Sequence, residues 1–165
     1  MALKSNVYKQ KIKKKGHWNY KDLYSFTYDW LKDNGYIVSE EKYSEKVTGA
    51  GKDIDIEWTA KRKVTDYFKN VINIKWKILG LKDDVIERAG AKEETNKGEV
   101  TLEFKGVLEK DYENRWEDQP FYKFLRGTYE KYIIRTTIDE YEDNVIDDCI
   151  ELVDQVKAFL EIGGR

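Results

Sequence analysis

Residues 53–61 alternate without a break, Ile54, Ile56, Trp58 and Ala60 being separated by Asp55, Glu57 and Thr59 and flanked by Asp53 and Lys61. Successive side chains of an extended chain leave opposite faces, so this period of two is a strand with one face on a core and the other in water. A run from about Tyr67 to Leu79 repeats the pattern, with Ile72, Ile74, Trp76 and Ile78 inward and Asn73, Lys75 and Lys77 outward. Parallel strands are buried on both faces, so half-buried strands of this kind call for an antiparallel sheet. Thr65-Asp66 supplies a turn between the two, and the pair reads as a long hairpin.

The flanking chain extends the sheet. Tyr36 to Tyr43 reads as extended and ends at the turn-prone Thr48-Gly49-Ala50-Gly51. A shorter strand near Asp84 to Ala89 leads through Gly90 and a turn at Asn96-Lys97-Gly98 into Glu99 to Leu108, where Val100, Leu102, Phe104 and Leu108 share a face. Helical spacing appears at both ends of this meander. Asn19 is an N-cap for a stripe at residues 20, 23, 24, 26/27, 30 and 31, closed by Gly35. Pro120 opens a second helical stretch of forty or so residues, about 60 Å as one rod, so a bend is expected near Ile133 to Ile138. Its stripe of Tyr141, Val145, Cys149, Leu152, Val153, Val156, Phe159 and Leu160 should pack on the sheet. The expectation is an α+β domain: an N-terminal helix, an antiparallel meander sheet of four or five strands, and a long or kinked C-terminal helix on one sheet face. Trp58, Trp76, Phe104, Val145, Leu152 and Val156 should form the shared core.

Composition excludes several functions. With 12 Tyr, 6 Phe and 5 Trp in 165 residues the chain folds, despite 38% charged residues. One cysteine, Cys149, rules out an internal disulfide, and one histidine, His17, rules out any site needing two imidazoles from one chain. No cofactor or metal motif is read. No apolar run is long enough to span a bilayer, and Gly16-His17-Trp18-Asn19 stands where a signal peptide needs apolar residues, so a cytoplasmic protein is expected.

Charge is divided along the chain. Lys4, Lys9, Lys11, Lys13, Lys14 and Lys15 precede the first acid, Asp22. Those six taken from 30 basic residues leave 24 against 32 acids, a balance of −8 for the remainder. Nine of the acids lie between Asp139 and Glu161 beside a single base, Lys157. Residues 1–18 therefore read as a basic arm and 19–165 as the domain, and an asymmetry of this kind speaks of partners. The arm is expected to contact an anionic surface, either nucleic-acid backbone or the acidic face Asp147, Asp148, Glu151 and Asp154 of another copy.

Three resemblances to known proteins stand beside this reading. Gly49-Ala50-Gly51, Asp53-Ile54-Asp55 and Asn73-Ile74-Lys75, preceded by Asn34-Gly35-Tyr36, resemble the core of the PD-(D/E)xK nucleases, including their Mrr-like branch, over about 55 of 165 residues. That resemblance implies Mg²⁺ at Asp55 and a catalytic Lys75. It departs from the family in placing Asn73 where an acid or glutamine belongs and strand where a helix should follow. The plain reading of the same residues is cross-strand charge pairing of Asp53, Asp55 and Glu57 with Lys75 and Lys77. Gly49-Ala50-Gly51-Lys52 lacks the spacing of a phosphate loop and reads as a turn, and Cys149 reads as a core residue. An antiparallel sheet crossed by a long helix resembles helix-grip lipid-binding domains, which implies an aromatic-lined cavity. Finally, the segments from Gly16 to Leu23, Leu108 to Trp116 and Phe124 to Gly127 resemble small archaeal proteins of unknown function. That resemblance implies an archaeal cytoplasm and supplies no activity. A non-catalytic binding or assembly protein is the leading expectation.

Overall fold

The computed structural model describes residues 3–110 and 134–163. In chain order these form β1 (Leu3–Trp18), α1 (Tyr20–Asp33), β2 (Ile37–Thr48), β3 (Gly51–Lys63), β4 (Phe68–Arg88), β5 (Ala91–Lys110) and α2 (Ile134–Gly163). The fold is α+β. Five strands make one sheet in the order β1-β5-β4-β3-β2, each neighbouring pair antiparallel. β2 to β5 are the meander, and α2 packs across β1, β5 and β4.

The basic segment is not a free arm. Residues 3–18 form an edge strand paired with β5 along its length, from Leu3 opposite Lys110 to Trp18 opposite Asn96, with Val7 bulged out between Asn6 and Tyr8. Gln10 and Ile12 alternate with Lys9, Lys11 and Lys13, and Ile12 and Trp18 reach the core. Charged side chains suit an edge because they discourage a further strand from adding. The helix that follows Asn19 is consequently the second element of the chain; the Asn19 side chain caps it, accepting from Asp22 N at 3.0 Å.

The third hairpin also differs from expectation. β4 runs unbroken to Arg88 and β5 begins at Ala91, so the turn is Ala89-Gly90, with φ of 53° and 80°. Two left-handed central residues make the type I′ geometry whose twist matches the flanking strands. Asn96-Lys97-Gly98 lies inside β5 because its residue types serve packing: Asn96 accepts from Tyr20 N and donates to Asp83. Gly98 lets strands approach where a Cβ would lie 3.1 Å from Leu79 O. The predicted helix start at Asp118-Gln119-Pro120 lies outside the described residues. Ile134 to Gly163 is 30 residues of helix, about 45 Å.

The inward faces of β3, β4 and β5 meet α1 and α2 in one apolar cluster. All six residues expected in the core are buried there. α1 covers the tryptophans: the Tyr24 ring is 4.9 Å from Trp58, which lies 5.1 Å from Trp76. α2 lies so close over β5 that a Cβ on Gly106 would sit 2.8 Å from Cys149 Sγ and 3.2 Å from Val145 Cγ1.

Candidate anion-binding face

The strand register settles what the outer face of the sheet carries. Lys11 stands opposite Glu103, Glu103 opposite Lys75, Lys75 opposite Glu57 and Glu57 opposite Lys42. One row across all five strands thus alternates in sign. Directly opposed side chains are about 5 Å apart at Cβ, so each rung sits beside its counter-charge. The adjacent row, Lys13, Thr101, Lys77, Asp55 and Ser44, carries the same net charge of +1, and in the row on the other side Lys9 faces Lys105.

β1 concentrates the excess. Lys9, Lys11, Lys13 and Lys15 pair with Lys105, Glu103, Thr101 and Glu99, all outward positions of β5. Lysines at every second residue lie about 6.8 Å apart, so the row spans about 20 Å. Lys4, opposite Glu109, continues on the same face beyond the bulge. Lys14 does not: it stands opposite buried Val100 on the helix side, and is half-buried. Lys9 reaches Glu103 at 3.6 Å and Lys13 reaches Glu99 at 3.0 Å, both exposed pairs worth roughly 0 to 1 kcal/mol. Among the described residues, Lys11 and Lys15 close no ion pair.

Asp55 and Lys75 share this face as diagonal neighbours, since Asp55 opposes Lys77 and Lys75 opposes Glu57. Asn73 faces Thr59 and Lys105, and β4 continues past Lys75 to Arg88 before turning into β5. Among the described residues no three His, Cys, Asp or Glu side chains come together to hold a metal ion. Gly49-Ala50 is the β2–β3 turn, and Lys52 is paired with Glu45 at 3.1 Å. The aromatic stock of the helix side is packed ring on ring, with Tyr24, Trp58 and Trp76 in mutual contact.

The acidic set on α2 divides. Asp147, Glu151 and Asp154 are exposed on the helix surface. Asp148 turns inward, binding Arg62 at 2.9 Å and accepting from Tyr36 Oη at 2.7 Å. Arg62 lies 5.0 Å over the Tyr36 ring and donates to Asn34 O and to Asn144, which also accepts from buried Asn70. Burial, and then the Asp148 carboxylate, push the Tyr36 hydroxyl well above its ordinary range. This clamp ties α2 to β3, β4 and the end of α1. Its bonded partners are up to 112 residues apart, and no local pattern marks them. Burial, with a smaller contribution from Asp148, pushes the Cys149 thiol up to about 12.

Among the described residues no helix is long and apolar enough to cross a membrane. No family model, curated protein or solved structure matches this chain.

Proposed function

We propose that the protein is a non-catalytic binding protein that holds a nucleic-acid backbone on the outer face of β1 and its neighbours, in a cytoplasmic setting. The observation that carries this reading is the register that aligns Lys9, Lys11, Lys13 and Lys15 on one face of one strand, with Lys105 and Lys77 beside them. Ile12, on the opposite side of the same strand, is buried in the core that α2 covers, so the basic face looks away from the acidic helix. A fixed strand presents its charges at regular spacing without the ordering cost of a free tail. Each contact contributes little, and affinity comes from several lysines releasing counterions together.

Fluorescence anisotropy with single- and double-stranded DNA at two salt concentrations tests the proposal. Affinity should fall log-linearly with salt, at a slope near −0.7 to −0.9 per phosphate neutralised, with little dependence on sequence. Lys9→Gln, Lys11→Gln and Lys13→Gln combined should abolish it, and unchanged binding by that variant would overturn the reading. Light scattering without DNA covers the competing partner, a second copy. Salt-sensitive self-association lost on neutralising Asp147, Glu151 and Asp154 would put the acidic helix in place of the nucleic acid.

A further inference from the structure

Where β1 ends, the outer face hollows into an open depression of about 700 Å³. Lys15, Lys82 and Lys97 line it, together with Gly16, Gly80, Gly98 and the apolar Ala50 and Leu79. Lys82 and Lys97 are direct cross-strand partners, and His17 is the next partner of Lys97 on β1. Like charges placed opposite one another destabilise a sheet. Along the Lys11 row an acid separates successive lysines, whereas Lys82 and Lys97 face each other directly, as Lys9 and Lys105 do. His17 is bonded to Asp84 at 2.7 Å and Lys97 also feels the Asp84 charge, but among the described residues Lys15, Lys82 and Lys97 close no ion pair. The two acids that line the hollow are engaged: Asp53 accepts from Gly80 N at 3.0 Å, and Glu99 holds Lys13. Three of the lining positions are glycine and put no side chain into the hollow, and a Cβ at Gly16 would meet nothing within 4 Å.

We propose that this depression is a subsite for a phosphomonoester, the terminal phosphate of a nucleic-acid strand whose backbone runs along the β1 lysines. A terminal phosphate carries a charge of about −1.5 to −2 near neutral pH, against −1 for each internal diester, and so offers more to the three lysines that line the hollow. The hollow is continuous with the lysine row through Lys15, which belongs to both. This deepens the nucleic-acid reading above and rests on it only for the strand, not for the phosphate.

The experiment measures binding of one single-stranded oligonucleotide with a 5′-phosphate, the same strand with a 5′-hydroxyl, the strand with a 3′-phosphate, and a nucleoside 5′-monophosphate alone. The phosphorylated strand should bind about 5- to 20-fold tighter than the hydroxyl form, as befits charge-assisted contacts at a partly exposed site. That preference should vanish in the double variant Lys82→Gln and Lys97→Gln while binding of the hydroxyl strand persists. Loss of a like-charge pair should leave the variant's thermal midpoint equal to or above that of the parent, so misfolding is excluded by the same measurement. Preference for either terminus supports the subsite and says which end is held. Binding of the mononucleotide alone, sensitive to the double variant, supports the subsite even where strands fail to bind, and then it is the backbone reading that falls. Equal binding of phosphorylated and hydroxyl strands, or failure of every probe, overturns the proposal.

Discussion

On the helix side of the sheet Trp58, Trp76 and Phe104 are at most 2% exposed, while one residue away on the same strands Glu57, Lys75 and Glu103 stand at least partly in solvent. The two faces share every backbone hydrogen bond and differ only in what the side chains meet. The inner face is held by packing, where removed volume leaves a void. The outer face is held by mutual neutralisation, where a removed charge is replaced by water and salt. Substitutions one residue apart should therefore separate stability from binding.

The largest effect should come from the centre of the inner face. Trp76→Ala is expected to cost about 3 to 5 kcal/mol in denaturant unfolding. Trp76→Phe sharpens the point, because Trp76 Nε1 is buried without a hydrogen-bond partner. Removing an unsatisfied donor offsets part of the lost volume, so the phenylalanine variant should lose far less than the alanine one. Equal losses would mean that the indole nitrogen is satisfied in solution.

Next in size is an alkaline loss confined to the helix side. Cys149 ordinarily titrates near 9, but burial raises it to about 12 in the folded chain. The Tyr24 hydroxyl, shielded and bonded to Glu40, is likewise raised to about 12. A raised value means the folded state keeps its proton after the unfolded state has lost it. The stability tied to Cys149 is thus complete below pH 9 and falls as pH climbs towards 12, by about 1.4 kcal/mol per pH unit from a fully buried group. Cys149→Ala should flatten the slope of unfolding free energy above pH 9, and an unchanged slope would remove the thiol as its source. The smallest effect belongs to the outer face: Glu57→Gln or Lys75→Gln should shift stability by less than about 1 kcal/mol. A loss several times larger at Lys75 would give that lysine a role beyond the charge row.

Strands with one apolar face were legible because burial imposes a period of two, and Ile54 to Ala60 and Ile72 to Ile78 fall where that period places them. β1 was not, although it has the same period. Its alternation is lysine against Gln10 and Ile12, and an edge strand needs few apolar anchors when its neighbour supplies the core. The sequence ends a strand at Ala89 and passes through Gly90, but Asn96-Lys97-Gly98 has better turn chemistry and draws the turn to itself; in the fold its glycine is needed for the close approach to Leu79 and its asparagine for Tyr20. The candidate site was half visible. The lysines on β1 could be named, but their partners Lys105, Lys77, Lys82 and Lys97 are 60 to 100 residues away, and only register brings them together.

Cys149 makes one event in this molecule directly timeable. Its sulfur is sealed between α2 and the bare backbone of Gly106, and it is the single thiol in the chain. A thiol reagent meets it when α2 lifts away, and no second cysteine confuses the signal. The labelling rate in native buffer is therefore a stopwatch for the lifting of one helix. Run with and without DNA, it would reveal whether a ligand on the far side of the sheet is felt through the sheet's thickness.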